Sequence, residues 1–532
     1  MMNCSSTRLP YSDTGYFSPI ITDYLQAHKN IAPFYKHTVT IDGVKAAIAA
    51  RQQFPHHRAV LVAELEKQYA GMPASVAVRE NIRLLVNENC FTITTAHQPV
   101  IFTGTLYFIY KILHVIKLAA SFKEQLPQYN FVPVFYMGSE DADLDELGNI
   151  WLNNEKIVWD TKQTGAVGRM HTTGLEKIIA RIDGELSVQP HGKALVQLLK
   201  DCYLNSPDIQ TATFKLIDAL FARFGLVVLL PDNAGFKKLL LPIFEDDLLN
   251  QTSSGIATET IAALSAHYKV QANPRAINLF YLKDDIRERI EKDGDEWQVV
   301  GKNIRFTKQA LQQELNDHPG RFSPNVILRG IFQETILPNI LFVGGGGELA
   351  YWLELKNIFE HYKVLYPMLV LRNSFLIVEK RWEEKIKRLG FCVFDFFKPE
   401  QELLTRLATH NKSGTLQLEH ELEEVKKFYG QLKLKAGNID STLEQHIEAL
   451  RAKATRPLYE LEKKMLRAEK RKYKDQLHQI QAVKAVLFPM NSLQERIENF
   501  MPYYAKWGDG FIDLLYANSL TLEQEFFVLN EQ

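Results

Sequence analysis

The stretch Cys90-Phe-Thr-Ile-Thr-Thr-Ala-His97-Gln-Pro-Val-Ile-Phe-Thr-Gly104-Thr-Leu-Tyr107 decides the fold. A β-rich run from Phe91 to Thr95 opens into the polar turn His97-Gln98-Pro99, then Phe102-Thr103-Gly104. Leu106, Ile109, Tyr110, Leu113, Ile116 and Ala120 follow at helical spacing. A strand that passes through a small polar turn into a helix puts free N–H groups and the positive end of the helix dipole at that turn, where phosphate or carboxylate is favoured. His97 is then expected at the carboxyl end of the strand, the edge at which open α/β sheets take ligands. A tight βα turn with a capping Thr accounts for the same spacing, because one His and one Gly make a weak motif.

Four more short apolar runs read as buried strands: Phe131–Tyr136, Leu226–Leu230, Leu341–Val343 and Met368–Leu371. Helical patterns lie between them, and this alternation is the signature of a parallel sheet covered on both faces. The expected fold is α/β, a Rossmann-like doubly wound parallel sheet core with connecting insertions over residues 1–390. Ile277–Leu282 and Trp297–Ile304, around the turn at Asp293-Gly294, read as a hairpin insertion. Beyond Pro399 strand signals fade. Leu443, Ile447, Leu450, Ala454, Leu458, Leu461, Met465 and Ala468 step by threes and fours, so residues 391–487 are expected to form an α-helical coiled-coil arm. Pro457 interrupts the seam and predicts a helix start or kink there. The basic run Lys463 to Lys474 is interleaved with Glu469 and with Glu460 and Glu462 just before it, and reads as a solvated face. Residues 488–532 regain aromatics and are expected to pack back on the core.

With 532 residues, 46% of them hydrophobic, the chain has material for two to four units and a large core. A formal net charge of −1 gives no global attraction to nucleic acid or anionic lipid. The four cysteines (Cys4, Cys90, Cys202 and Cys392) are too dispersed for a zinc knuckle or redox pair. No apolar run nears the roughly 18 residues a membrane span needs, and the N-terminus lacks a signal-peptide core. A cytoplasmic protein is expected, with no membrane or nucleic-acid partner and no metal site.

Three clusters can carry chemistry. The run Phe131 to Tyr136 opens into Glu140, Asp141, Asp143, Asp145 and Glu146, which can hold an amine, hydroxyls or Mg²⁺, or supply a general base. Some of these acids fit an N-terminal helix turn behind Ser139 equally well. Gly344-Gly-Gly-Gly-Glu348-Leu-Ala-Tyr351-Trp352 follows another strand. Four glycines cost backbone entropy that a plain connection has no reason to spend, and they let a ligand approach a helix N-terminus. The segment lacks the Lys-Ser/Thr of a P-loop and the third glycine of the dinucleotide fingerprint. Arg329, after Ser323-Pro324, and Arg372, after Leu371, are expected at strand ends, where each can fork a carboxylate or phosphate.

Together these stretches resemble the bacillithiol biosynthesis cysteine-adding enzymes, a family of cysteine ligases. The resembling segments are His97–Lys111, Val132–Glu146, Gly165–Met170, Pro274–Tyr281, Ser323–Arg329, Gly344–Lys356 and Leu487–Phe500. The resemblance implies a core related to class I aminoacyl-tRNA synthetases and nucleotidyltransferases, and a homodimer through the C-terminal coiled coil. It implies that L-cysteine is joined to the amino group of glucosaminyl-malate, an amide bond that needs an activated cysteinyl carboxyl. ATP with Mg²⁺ is the expected source. Only one histidine of the synthetase pair is in place, as His97, and the mobile Lys-Met-Ser-Lys-Ser loop is missing. On this reading His97, Glu140, Asp141 and Asp143 act on the reacting groups. Gln98, Thr103, Gly104 and Lys111 meet a phosphate or carboxylate, Lys111 lying two turns into the helix where it can also face the core. Gly345, Gly346, Glu348 and Tyr351 shape the nucleotide or sugar pocket, and Arg329 and Arg372 hold malate carboxylates or phosphates. A nucleotidyltransferase-like ligase acting on another small acid, or a non-catalytic nucleotide-binding scaffold, are the alternatives.

Overall fold

The structure is a computed structural model that describes residues 4–72, 75–410 and 418–531. The chain forms two compact units, one of residues 1–377 with 492–532 and one of residues 378–491.

The first unit is built on five parallel strands: β1 (Cys90–His97), β2 (Asn130–Met137), β3 (Val227–Leu229), β4 (Asn339–Gly344) and β5 (Met368–Leu371). They coincide with the five runs expected from sequence. Their spatial order is β5-β4-β1-β2-β3. The chain winds outward from β1 through β2 to β3, crosses back, and winds outward again through β4 to β5. This is the doubly wound Rossmann arrangement, and it opens a crevice where winding reverses, between β1 and β4. All eight residues of β1 are buried, which suits a central strand covered on both faces. Its threonines are satisfied there: Thr94 Oγ1 donates to Asn339 Oδ1 at 2.8 Å and Thr95 Oγ1 to the Val343 carbonyl at 2.8 Å. Three helices matter for the site. Helix α1 (Tyr107–Gln125) follows β1, α2 (Val326–Ile336) leads into β4, and α3 (Gly346–Leu353) leaves it.

The insertion is larger than a hairpin. Leu279–Lys283, Ile286–Asp293, Glu296–Val299, Arg305–Thr307 and Phe322–Pro324 form an antiparallel sheet, with Gly294 at φ +62° in the turn. Its strand Ile286–Asp293 is charged and half-exposed, so it lacks the apolar alternation that marks strands in sequence. Phe322–Pro324 is an edge strand of this sheet. Arg329 therefore lies on α2 and not at a strand end as expected. The two ends of the chain pair antiparallel, Cys4–Pro10 against Glu525–Glu531.

In the second unit, helices α4 (Glu419–Gly437) and α5 (Leu443–Lys470) are joined by the short link 438–442 and run antiparallel. Lys433 bridges them through Glu448 at 3.2 Å and Glu444 at 3.7 Å. Helix α5 runs straight through Pro457, so no helix starts there. Proline removes a single N–H, a loss a long helix with its Pro457 face open to water absorbs. Lys463 and Lys472 of the basic run pair with Glu460 and Glu469 at i,i+3 spacing. Among the described residues no helix is long and apolar enough to cross a membrane.

Candidate functional site

A cavity of about 540 Å³ opens at the carboxyl ends of the strands, lined by His97 from β1 and Gly345–Gly347 after β4. It occupies the crevice that the reversal of winding creates. Of the residues given roles from sequence, all line it except Thr103, Gly104, Lys111 and Asp143; Asp145 of the acidic cluster and Gly344 of the glycine run do not line it either.

The Phe102–Gly104 turn does something other than hold an anion. The Phe102 N–H donates to the Tyr203 hydroxyl at 2.7 Å and the Leu106 N–H to the Glu498 carbonyl at 2.7 Å. Asn499 Nδ2 donates to the carbonyls of Phe102 (2.9 Å) and Gly104. With these backbone groups occupied by protein, Thr103 and Gly104 are buried and do not line the cavity. Phe102, Thr103 and Gly104 all have positive φ (+50°, +65° and +62°), a costly run for two residues with a Cβ. A Cβ at Gly104 would come 2.7 Å from Val100.

His97 is 7% exposed. Its Nδ1 lies 3.0 Å from the Gln98 carbonyl, which only accepts, so Nδ1 carries the hydrogen and Nε2 accepts from the Tyr107 hydroxyl at 3.1 Å. Burial, with the Lys111 charge behind it, pulls the imidazole down to about 4. The ring is therefore neutral near pH 7 and contributes as a hydrogen-bonding group, not as a cation. In the unfolded chain it titrates near 6.5. Between pH 6.5 and 4 the unfolded state binds the extra proton, so this contribution to stability falls as pH falls through that window. His97→Gln is expected to flatten the pH dependence of urea unfolding between pH 7 and 4 by up to about 3 kcal/mol. Equal slopes for the two proteins would contradict this.

Lys111 reaches under the cavity floor. Its Nζ donates to the Ala96 carbonyl at 2.6 Å and pairs with Glu348. Burial lowers it to about 8 against the attraction of Glu348. Glu348 in turn accepts from the Gly345 N–H at 2.8 Å and, despite burial, is held below the usual carboxylate range by Lys111. This pair ties α1 to the start of α3 and sets the glycine turn. Gly344 is needed for packing: a Cβ there would sit 2.6 Å from Leu349.

Among the described residues four arginines line the cavity, and Arg287 and Arg329 lie within electrostatic reach of Asp141. Arg372, 3% exposed, donates to Glu495 at 2.7 Å and to Ser374 Oγ at 3.0 Å, and its guanidinium lies 4.9 Å from the Tyr107 ring centre. Arg329 bonds the Tyr351 hydroxyl. Arg287, from the insertion, stacks 4.0 Å from the Phe280 ring centre, and its buried Nε has no partner. Carboxylates line the same cavity. Asp141 Oδ1 accepts from the N–H groups of Ala142 (2.7 Å) and Asp143 (3.3 Å), and Oδ2 accepts from Gln98 Nε2 at 3.1 Å. Three donors orient this carboxylate while it lines open space. Glu146 is exposed to the cavity, and partial burial with the Asp143 and Asp141 charges raises it. Glu140 pairs with the fully buried Lys237 and accepts from Ser323 Oγ at 3.1 Å. Burial pushes its carboxyl up against the pull of Lys237. Behind it Asp232 is bridged twice by Arg169, at 2.6 and 2.7 Å. Asp143 caps the short turn Leu144–Leu147, accepting from the Glu146 N–H at 3.1 Å.

Tyr107, Lys237, Arg287 and Arg496 escape the sequence reading. Arg287 sits in a strand that looks like solvated surface. Arg496 lies within Leu487–Phe500, a segment that stands out as a resemblance with no role attached. Among the described residues no group of three or more His, Cys, Asp or Glu is arranged to hold a metal ion.

Residues 2–373 match the family description "Bacillithiol biosynthesis BshC, N-terminal Rossmann-like domain", and residues 375–531 match "Bacillithiol biosynthesis BshC, C-terminal coiled-coil domain". The chain is 38% identical to a protein of Flavobacterium johnsoniae over 523 residues, covering 98% of this chain and 99% of that one. It is 37% identical to one of Christiangramia forsetii (99% and 98%) and 30% identical to one of Chlorobaculum tepidum (86% and 85%). Each of the three is named "Putative cysteine ligase BshC". A solved structure titled as an arginyl-tRNA synthetase from Campylobacter jejuni overlaps 82% of this chain and 93% of that chain at 9% identity, with a TM-score of 0.22, too loose a match to carry an argument.

Proposed function

The chain belongs to the bacillithiol biosynthesis BshC family, and from that premise we propose that it is a carbon–nitrogen ligase joining the carboxyl of cysteine to the amine of glucosaminyl-malate. The observation that carries the reading is the cavity at the β1–β4 crevice, which combines an oriented, open carboxylate at Asp141 with arginines in the same space. An acceptor with one amine and two carboxylates needs that pairing of charges.

Amide formation from a free acid requires a leaving group on the acyl carbon, because the carboxylate oxygen does not depart unaided. The family resemblance and the chemistry favour ATP: transfer of AMP releases pyrophosphate and gives an acyl-adenylate, whereas transfer of the γ-phosphoryl gives an acyl phosphate and ADP. The amine nitrogen attacks the acyl carbon, the C–O bond to phosphate breaks, and one proton leaves the nitrogen. Asp141 is placed to accept that proton, with Glu146 beside it and Glu140 held in the Lys237 pair behind. The unpaired Arg372 Nε and the glycine turn of α3 suit phosphate oxygens. Mg²⁺, when bound, would neutralise phosphate charge, and Glu146, a carboxylate of the cavity beside Asp141, would be a ligand for it along with phosphate oxygens. His97, neutral and with both ring nitrogens engaged, holds the Tyr107 hydroxyl, whose oxygen is left to accept a hydrogen bond from the same space.

A homodimer through the second unit fits the half-exposed seam residues Leu443, Leu450 and Leu461, which are 39%, 36% and 45% exposed in the single chain. A cytoplasmic setting fits the use of ATP and free cysteine.

The test incubates the protein with cysteine, glucosaminyl-malate, ATP and Mg²⁺ and reads products by mass spectrometry. The expected result is the cysteinyl adduct with one nucleotide product, AMP for the adenylate or ADP for the acyl phosphate. Absence of adduct from folded protein that binds glucosaminyl-malate would overturn the reading.

A further inference from the structure

The segment Leu493-Gln-Glu-Arg-Ile-Glu-Asn499 carries three anchors around one outlier. Gln494, 1% exposed, clamps the backbone of Ile377 twice, accepting from its N–H at 2.9 Å and donating to its carbonyl at 3.2 Å. Glu495, fully buried, accepts from Arg372 at 2.7 Å, Ser374 Oγ at 3.1 Å and the Phe375 N–H at 3.3 Å. Asn499, 1% exposed, holds the Phe102–Gly104 turn. Arg496 alone among them is exposed. It lines the cavity, and its guanidinium makes no hydrogen bond or ion pair with the described residues.

Arg496 therefore brings a cation with no ion-pair partner among the described residues into a space already lined by Arg372, and the adjacent Glu495, which attracts it, is already engaged by Arg372. Like charges brought together repel, and the anchoring contacts of Gln494, Glu495 and Asn499 do not involve the Arg496 side chain. Arg372 adds a second signal. Its Glu495 and Ser374 contacts use the terminal nitrogens, and its buried Nε is left without a partner. That Nε faces Gly345, where a Cβ would lie 3.6 Å from it. The first-turn N–H groups of Gly346 and Gly347 have no acceptor within their own helix and line the same cavity.

We infer that Arg496, Arg372 Nε and the N–H groups of Gly346 and Gly347 form an oxyanion subsite, built by the C-terminal segment, that takes a phosphoryl or carboxylate group of a substrate. The assignment deepens the ligase reading and rests on it only for which substrate brings the anion.

Calorimetric titration with two probes, inorganic pyrophosphate and malate, tests the subsite without cysteine or turnover, so its outcome is independent of whether the ligase assay succeeds. Arg496→Ala is expected to weaken at least one probe by roughly 10- to 100-fold, the factor for one charge-assisted contact, with the unfolding midpoint of the parent protein. Arg496→Lys, which keeps the charge and guards against a folding defect, should recover part of the loss. Loss for pyrophosphate alone assigns a phosphoryl group, and loss for malate alone a carboxylate. Affinities unchanged within about twofold for both probes, or no binding of either probe by the parent protein, would overturn the subsite.

Discussion

Replacing Glu495 by alanine is expected to destabilise the first unit by about 3–5 kcal/mol, the cost of leaving a buried charge without its partner. The Arg372 guanidinium is 3% exposed and cannot turn to water. Glu495 also closes the hydrogen bonds of Ser374 Oγ and the Phe375 N–H, so three donors lose their acceptor together. Against a typical total stability of about 5–15 kcal/mol, one such change removes a large share. Glu495→Gln keeps shape and an acceptor while losing charge, and should fall between the two. Urea unfolding followed by tryptophan fluorescence reads the effect. A cost below about 1 kcal/mol for the alanine variant, the level of an exposed pair, would show that this pair does not clamp the C-terminal segment to the sheet.

Asp141→Asn is expected to lower kcat by roughly 10²–10⁴, the range for a positioned proton acceptor, with a smaller change in KM. The substitution keeps an oxygen for the Ala142 and Asp143 N–H groups but turns an NH₂ toward Gln98 Nε2, two donors face to face. Stability should change by less than about 1 kcal/mol, because the side chain is half-exposed. Glu140→Gln separates structure from chemistry: it strips the carboxylate from Lys237, which is fully buried, so its main effect is expected in the unfolding curve. An Asp141→Asn enzyme with parental kcat would remove Asp141 from the proton path.

The parallel sheet was readable because each strand is a short apolar run and local periodicity is a local signal. The glycine turn after β4 was readable for a related reason, since four successive glycines have a backbone cost that invites a ligand explanation. What escaped depends on contacts between residues far apart in the chain. Nothing near Arg372 announces Glu495, 123 positions away. The Phe102–Gly104 turn looks like an open anion cradle until the Tyr203 hydroxyl and the Glu498 carbonyl, from distant parts of the chain, take the N–H groups of Phe102 and Leu106. Arg287 lies in a charged strand whose residues read as surface, and the antiparallel sheet it belongs to is what carries it to the cavity. Of the two outcomes expected at Pro457, a helix start is ruled out because α5 is continuous from Leu443 to Lys470, while α4 pairs with its first turns through Lys433 and Glu448.

On the ligase reading, the substrates meet in the crevice between β1 and β4. A crystal structure of the protein soaked with glucosaminyl-malate tests it directly. The expected result is density in the cavity, with the sugar amine within hydrogen-bond distance of Asp141 and a malate carboxylate on one of the lining arginines. Density for the ligand elsewhere on the chain, with this cavity holding only water, would contradict it.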